Sequence, residues 1–269
     1  MSSGSGTIII QPALVPASVP KVRPGRGALA RGGGLASVAQ KPSARGSGVR
    51  QSLVEKAYGD LKHGILTNKY PPGFRATETE IAEREGMSRT PMHEALLRLQ
   101  SDGLVELMPR HGVRVLPIYP EDLREIYELL CCLEATAAEL MAGRRLPPDA
   151  PEFREMEAAN VAIDEALARG DLDAFAAMDD RFHRLLVTYC GNGRLMRSAL
   201  GISDQQHRAR MLTLRLRPLP TGTSSEHRAI LEAIQRGDAR AAHELHRAHR
   251  VRGMNLIIGL IKHHLLGHV

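Results

Sequence analysis

Gly86-Met87-Ser88-Arg89-Thr90-Pro91-Met92-His93-Glu94-Ala95-Leu96-Leu97-Arg98-Leu99 reads as a tight turn followed by a capped helix. Glycine supplies the turn, Ser88 is an N-cap residue, and Pro91 is tolerated in a first helical turn. Working backward, Thr77 with Glu80 fits a capping box that opens a short helix to about Glu85. Further back, Leu53, Ala57, Leu61 and Ile65 recur at helical spacing, so residues 51–68 form an amphipathic helix, closed by Tyr70-Pro71-Pro72-Gly73. Working forward, Gly103 ends the quoted helix. Val105-Glu106-Leu107 and Val113-Arg114-Val115 then alternate with the period of strands around the turn Met108 to Gly112. Three helices and a hairpin give the outline of a winged helix-turn-helix.

After Pro117 and Pro120 no strand pattern remains. Helical segments are expected to about Arg144 and near 151–169, 171–190, 193–216, 224–236 and 238–266, separated by Gly and Pro breaks. The fold class is therefore mainly α: an N-terminal winged helix-turn-helix and a C-terminal antiparallel all-helical bundle. The expected division is a disordered basic tail at 1–48, a winged helix at 49–117 and a helical domain at 118–269.

Composition supports this division. Aromatic residues are 3% of the chain and Trp is absent, so the core must come from Leu, Ala, Ile, Val and Met. Residues 1–50 hold seven Lys and Arg and no acid. The remaining 29 basic groups face 30 acids, so the folded part is close to neutral. Attraction to phosphates must come from local clusters and the tail. An Arg-rich, acid-free leader also has the composition of an organellar transit peptide. Cys131, Cys132 and Cys190 are odd in number and lack CxxC spacing, which suggests reduced thiols packed as core filler. A cytoplasmic protein is expected, and no apolar run approaches the length of a membrane span.

The quoted helix has the chemistry of a recognition helix. Its N-terminus offers free N–H groups and partial positive charge to phosphate. Arg89 and His93 share one face, and Arg can read guanine bidentately. Ser88 and Thr90 can anchor phosphates. Arg110, His111 and Gly112 form a wing tip able to approach the duplex. The plainer alternative is a capped surface helix with solvated charges. Tyr70-Pro-Pro-Gly73, Glu80-Ile-Ala82, Ser88-Arg-Thr-Pro91, Glu94-Ala-Leu96, Asp102-Gly-Leu-Val105 and Arg110-His-Gly112 together resemble the GntR superfamily DNA-binding domain. The resemblance implies that Arg89 reads bases, that Ser88 and Thr90 contact phosphate, and that the Arg110–Gly112 tip reaches DNA. The sequence departs from the family at His93, where Arg is usual, and at Thr79, where some relatives carry Arg.

In the second half, Asp179 and His183 are four apart on one helical face, half of a divalent-metal site. His227 and His249 on later helices could complete it. Twelve histidines also give accidental pairs, so a surface Asp beside a packed His is the plainer reading. Asp179-x-x-Phe182-His183, Gly191-Asn192, Glu226-His227, Gly237-Asp238 and His249 resemble the FCD ligand-binding domain of FadR-like GntR regulators. That resemblance implies that Asp179, His183, His227 and His249 hold a divalent metal, zinc or nickel, open to a small organic acid. His243 and His246 fall off the motif and read as surface or packing residues. Leu130 precedes Glu134 where relatives often carry Arg. Arg208 and Arg210 could clamp an effector carboxylate, or form a solvated face.

The expected function is a homodimeric transcription regulator, a repressor, bound to a pseudo-palindromic double-stranded DNA operator and controlled by the acid. It is not expected to be an enzyme. The rival class is a metal-dependent helical-bundle enzyme acting on a small carboxylate, against which stands the lack of HExxH, paired Glu-x-x-His or a phosphate-binding loop. A purely structural metal is a third reading.

Overall fold

The computed structural model describes the backbone of residues 44–265 and the side chains of 52–264. Most of the expected disordered tail, residues 1–43, lies outside the described residues.

The chain order is α1 (Ala44–Leu66), β1 (Arg75–Ala76), α2 (Glu78–Arg84), α3 (Arg89–Ser101), β2 (Val105–Met108), β3 (Gly112–Val115), then α4 (Pro120–Gly143), α5 (Pro151–Ala168), α6 (Leu172–Tyr189), α7 (Gly193–Thr213), α8 (Thr223–Gln235) and α9 (Ala239–Leu265). The Thr77–Glu80 capping box forms: the Thr77 hydroxyl accepts from Glu80 N–H at 3.1 Å, and Thr77 N–H donates to the Glu80 carboxylate at 2.7 Å. Ser88 sits at the N-cap of α3 without a side-chain cap bond, which leaves its hydroxyl exposed at the helix entrance.

One apolar core holds the N-terminal helices and strands together. Ala57, Leu61 and Ile65 of α1 meet Met92, Ala95, Leu96 and Leu99 of α3, with Val105, Val113 and Val115 closing the layer. The sheet has one strand more than the expected hairpin. β1 pairs antiparallel with β3, so the order is β1-β3-β2, with Ala76 opposite Val113 and Met108 opposite Gly112. Two residues are too few to show a sequence period, which is why β1 was not legible. Gly112 is required here. Its φ is +81°, and a Cβ would lie 2.2 Å from the Ala76 carbonyl oxygen.

The bundle is organised around α4. Pro120 starts it at a position where the missing N–H is not needed. It packs along α9 and touches α6, α7 and α8, while α5 lies on α6 and α8. Its small residues Ala137, Ala138 and Ala142 allow close approach to Phe182, Leu186, Ile230 and Ile234. Asp171 caps α6 by accepting from Ala174 N–H at 2.9 Å, and Asn192 caps α7 by accepting from Arg194 and Leu195 N–H at 3.1 Å. Cys131 and Cys190 are buried core, but Cys132 is exposed, a correction to their common reading as filler. Among the described residues no helix is long and apolar enough to cross a membrane.

Candidate functional site

At the winged helix, Pro91, Met92, Ala95, Leu96 and Leu99 anchor α3, which turns Ser88, Arg89, Thr90 and His93 outward. All four are exposed, as are Arg110 and His111 of the wing. Arg110 has a φ of 67°, and with Gly112 it makes the sharp turn between β2 and β3. His93 is not free: its Nδ1 lies 2.9 Å from Glu78 Oε2 at the start of α2. The residue that replaces the usual Arg is thus tied to an acid on the same outward face.

In the bundle, α6, α8 and α9 bring Asp179, His183, His227 and His249 together, with one donor atom of each within 4.8 Å of all the others. His249 Nε2 lies 3.3 Å from His183 Nε2 and 3.4 Å from His227 Nε2. Asp179 Oδ1 lies 3.7 Å from His227 Nε2. Ligands on a tetrahedral ion with bonds near 2.05 Å stand about 3.3 Å apart, so this donor set fits such an ion. The outer nitrogen of His249 supports an inward lone pair, since Nδ1 lies 2.7 Å from Glu226 Oε2; His183 Nδ1 lies 3.2 Å from His246 Nε2, and His227 Nδ1 has no hydrogen-bond partner. Phe182 stacks on His227 with ring centroids 3.8 Å apart.

Protonation states also suit a metal. Burial, then the Arg250 charge, pushes His183 well below the usual imidazole range, and burial, then His249, does the same to His227. Both are therefore neutral. Burial alone would raise the Asp179 pKa, but Arg210 and the imidazoles outweigh it and bring it down to about 2. Asp179 Oδ2 accepts from Arg210, which also donates to the Ala176 carbonyl at 2.8 Å. The carboxylate is shared: Oδ1 faces His227, while Oδ2 faces the guanidinium and lies 4.0 Å from His183 Nε2.

Beside this cluster lies a cavity of about 360 Å³ lined by Asp179, Arg210, Arg217, His249, Arg250 and Arg252. Its cationic side has spare donors, because the Nε of Arg210 and both Nε and Nη2 of Arg217 are buried without a partner. Burial pushes the Arg217 pKa down to about 10, with Arg210 adding to it. Sequence reading missed Arg217, which sits in an Arg215-Leu216-Arg217-Pro218 run that looks like a solvated helix end.

One expectation needs correction, and two further residues do more than the sequence shows. Arg208 does not accompany Arg210: it lines a different cavity and donates to the Leu116 carbonyl. Residues two apart on a helix point to different sides, so the two could not form one clamp. Of its surface and packing readings, His246 takes the packing one. It is fully buried, with Nε2 3.2 Å from His183 Nδ1 and 3.5 Å from Glu134 Oε2. Glu134, which carries no signal of its own in the sequence, forms a buried bidentate pair with Arg250, Oε1 accepting from Nη2 at 2.6 Å. Leu130 itself is fully buried in the core.

An outward capped helix and wing, joined to an all-helical domain, define a DNA-binding type of regulator. Comparison with known proteins agrees. Residues 53–115 match the model for bacterial regulatory proteins of the gntR family, and residues 125–252 match the FCD domain. The HTH-type transcriptional regulator in the TAR-I ttuE-ttuC' intergenic region of Agrobacterium vitis is 45% identical over 134 residues, which is 50% of this chain and 78% of the relative. A probable D-xylose utilization operon transcriptional repressor of Paenarthrobacter nicotinovorans is 32% identical, covering 66% of this chain and 76% of the relative. Escherichia coli McbR/YncC shares the fold with a TM-score of 0.68 at 20% identity, over 77% of this chain and 97% of that one. The chain belongs to the GntR family of transcription regulators and carries an FCD domain. Membership makes it a regulator and sets aside the enzyme reading.

Proposed function

We propose that this chain is a homodimeric cytoplasmic repressor whose operator affinity is set by a small organic acid at a divalent ion in the helical domain. The observation that supports this reading best is the convergence of Asp179, His183, His227 and His249 beside a cavity with unpaired guanidinium donors. A bound zinc or nickel would supply Lewis acidity, and a carboxylate would reach it only if its coordination expanded beyond these four side chains. Arg210 holds the Asp179 carboxylate in place, and Arg217 offers the free donors for the far end of the acid.

The DNA-binding part spans 49–117 and the effector and dimerisation part 118–269. Arg89 reads bases, Ser88 and Thr90 position phosphate, and the Arg110, His111 and Gly112 tip follows the backbone. His93, engaged by Glu78, contributes less than the usual Arg would. Two copies present two α3 helices to a pseudo-palindromic site.

The test selects bound DNA from a random pool, then screens organic acids for a rise in melting temperature and a change in operator affinity. A true effector raises the melting temperature of the parent by linkage and does nothing to His183→Ala. An equal response in both proteins would overturn the metal-centred site.

A further inference from the structure

A cavity of about 470 Å³ lies where the winged helix meets the bundle, and it shares no lining residue with the cavity at Asp179. Leu116, Ile118, Leu123, Ile126, Leu129 and Ile202 give it an apolar wall. Two arginines reach the same space, Arg208 from α7 and Arg114 from β3. Arg208 is 3% exposed and its Nε has no hydrogen-bond partner. Burial alone lowers its pKa to about 10, with no neighbouring charge contributing, so it is a buried cation without a counter-ion. Arg114 gives one Nη to Glu106 at 2.7 Å, and its Nε is also buried and unpaired. Leaving such groups unpaired away from water is unfavourable, and an anion would offset that cost.

We infer that this junction is a second ligand site, for an organic anion with one acidic head and an apolar body. The head takes the unused donors of Arg208 and Arg114, and the body covers the Leu and Ile wall. Asp122 and Glu125 also line the cavity, both exposed on α4. They repel a second negative charge, so a monoanion is favoured over a diacid. The occupant would touch the wing strand, the 116–119 connection and the bundle together, which suits a ligand that biases DNA binding.

The experiment titrates octanoate, with 1-octanol as the uncharged control, into full-length protein by calorimetry. Octanoate binds the parent and His183→Ala alike, and 1-octanol binds at least about tenfold more weakly, the loss expected for a charge-assisted pair. Arg208→Met weakens octanoate by a similar factor. Leu129→Glu, at a residue already 50% exposed, keeps the fold and adds a repelling charge to the wall, so it also weakens binding. If Arg208→Met fails to fold, Leu129→Glu decides. Absence of octanoate binding to the parent, or binding unchanged in the folded variants, would overturn the site. Loss of binding in His183→Ala with retention in Leu129→Glu would place the anion at the metal cluster instead and equally overturn it.

Discussion

The two halves of this molecule put their polar chemistry on opposite sides of the surface. Among the described residues, the winged helix buries no charged or strongly polar side chain. All fourteen that are buried, from Glu134 to Arg250, belong to the helical domain. The winged-helix interior is aliphatic and serves only to aim Arg89, His93 and the wing outward. In the bundle, the proposed site lies in the interior, among pairs such as Glu134–Arg250 and Asp179–Arg210. A solvent-facing site can change residue by residue at little cost in stability, whereas a buried one is coupled to the fold. This contrast sets the ranking of expected effects.

The largest effect falls on the interior pair. Glu134→Ala leaves the Arg250 charge buried and unpaired, and urea unfolding should show a loss of about 3–5 kcal/mol. Acid comes next, for metal-free protein. Burial first, with nearby cations second, depresses His183, His246 and His207, the last to about 4. The unfolded chain therefore binds more protons than the folded one below the ordinary imidazole value of 6.5. Stability present above that pH is lost as pH falls from about 6.5 toward 4, seen as a falling melting temperature.

In the winged helix the strongest stability effect is at the wing. Gly112→Ala must move the Ala76 backbone and hold a left-handed φ, and should cost about 1–3 kcal/mol. Arg89→Ala marks the other extreme. It should change stability by less than about 0.5 kcal/mol and weaken the selected operator by about 1–3 kcal/mol in a shift titration. A large stability loss in Arg89→Ala would break the contrast between the two halves.

The same contrast explains what the sequence revealed. Helices, wing and the Asp179/His183 pair follow local spacing, and the distant His227 and His249 came through resemblance. Glu134 and Arg250 lie 116 residues apart, so nothing local links them. His246 looked like one of several incidental histidines, because only the packing of α9 on α4 and α6 shows which face is buried. Arg208 and Arg210 were grouped by proximity in sequence, although helix geometry separates them. Local patterns report which face of an element is apolar, but not which charged groups meet across a bundle.

The central claim is tested most directly by titrating zinc or nickel into chelator-stripped protein and reading binding by calorimetry. A single ion per chain should bind the parent and raise its melting temperature. Binding should drop sharply in His249→Ala, a partly exposed ligand at the edge of the cluster. Absence of uptake by the parent, or the same affinity in His249→Ala, would contradict the account.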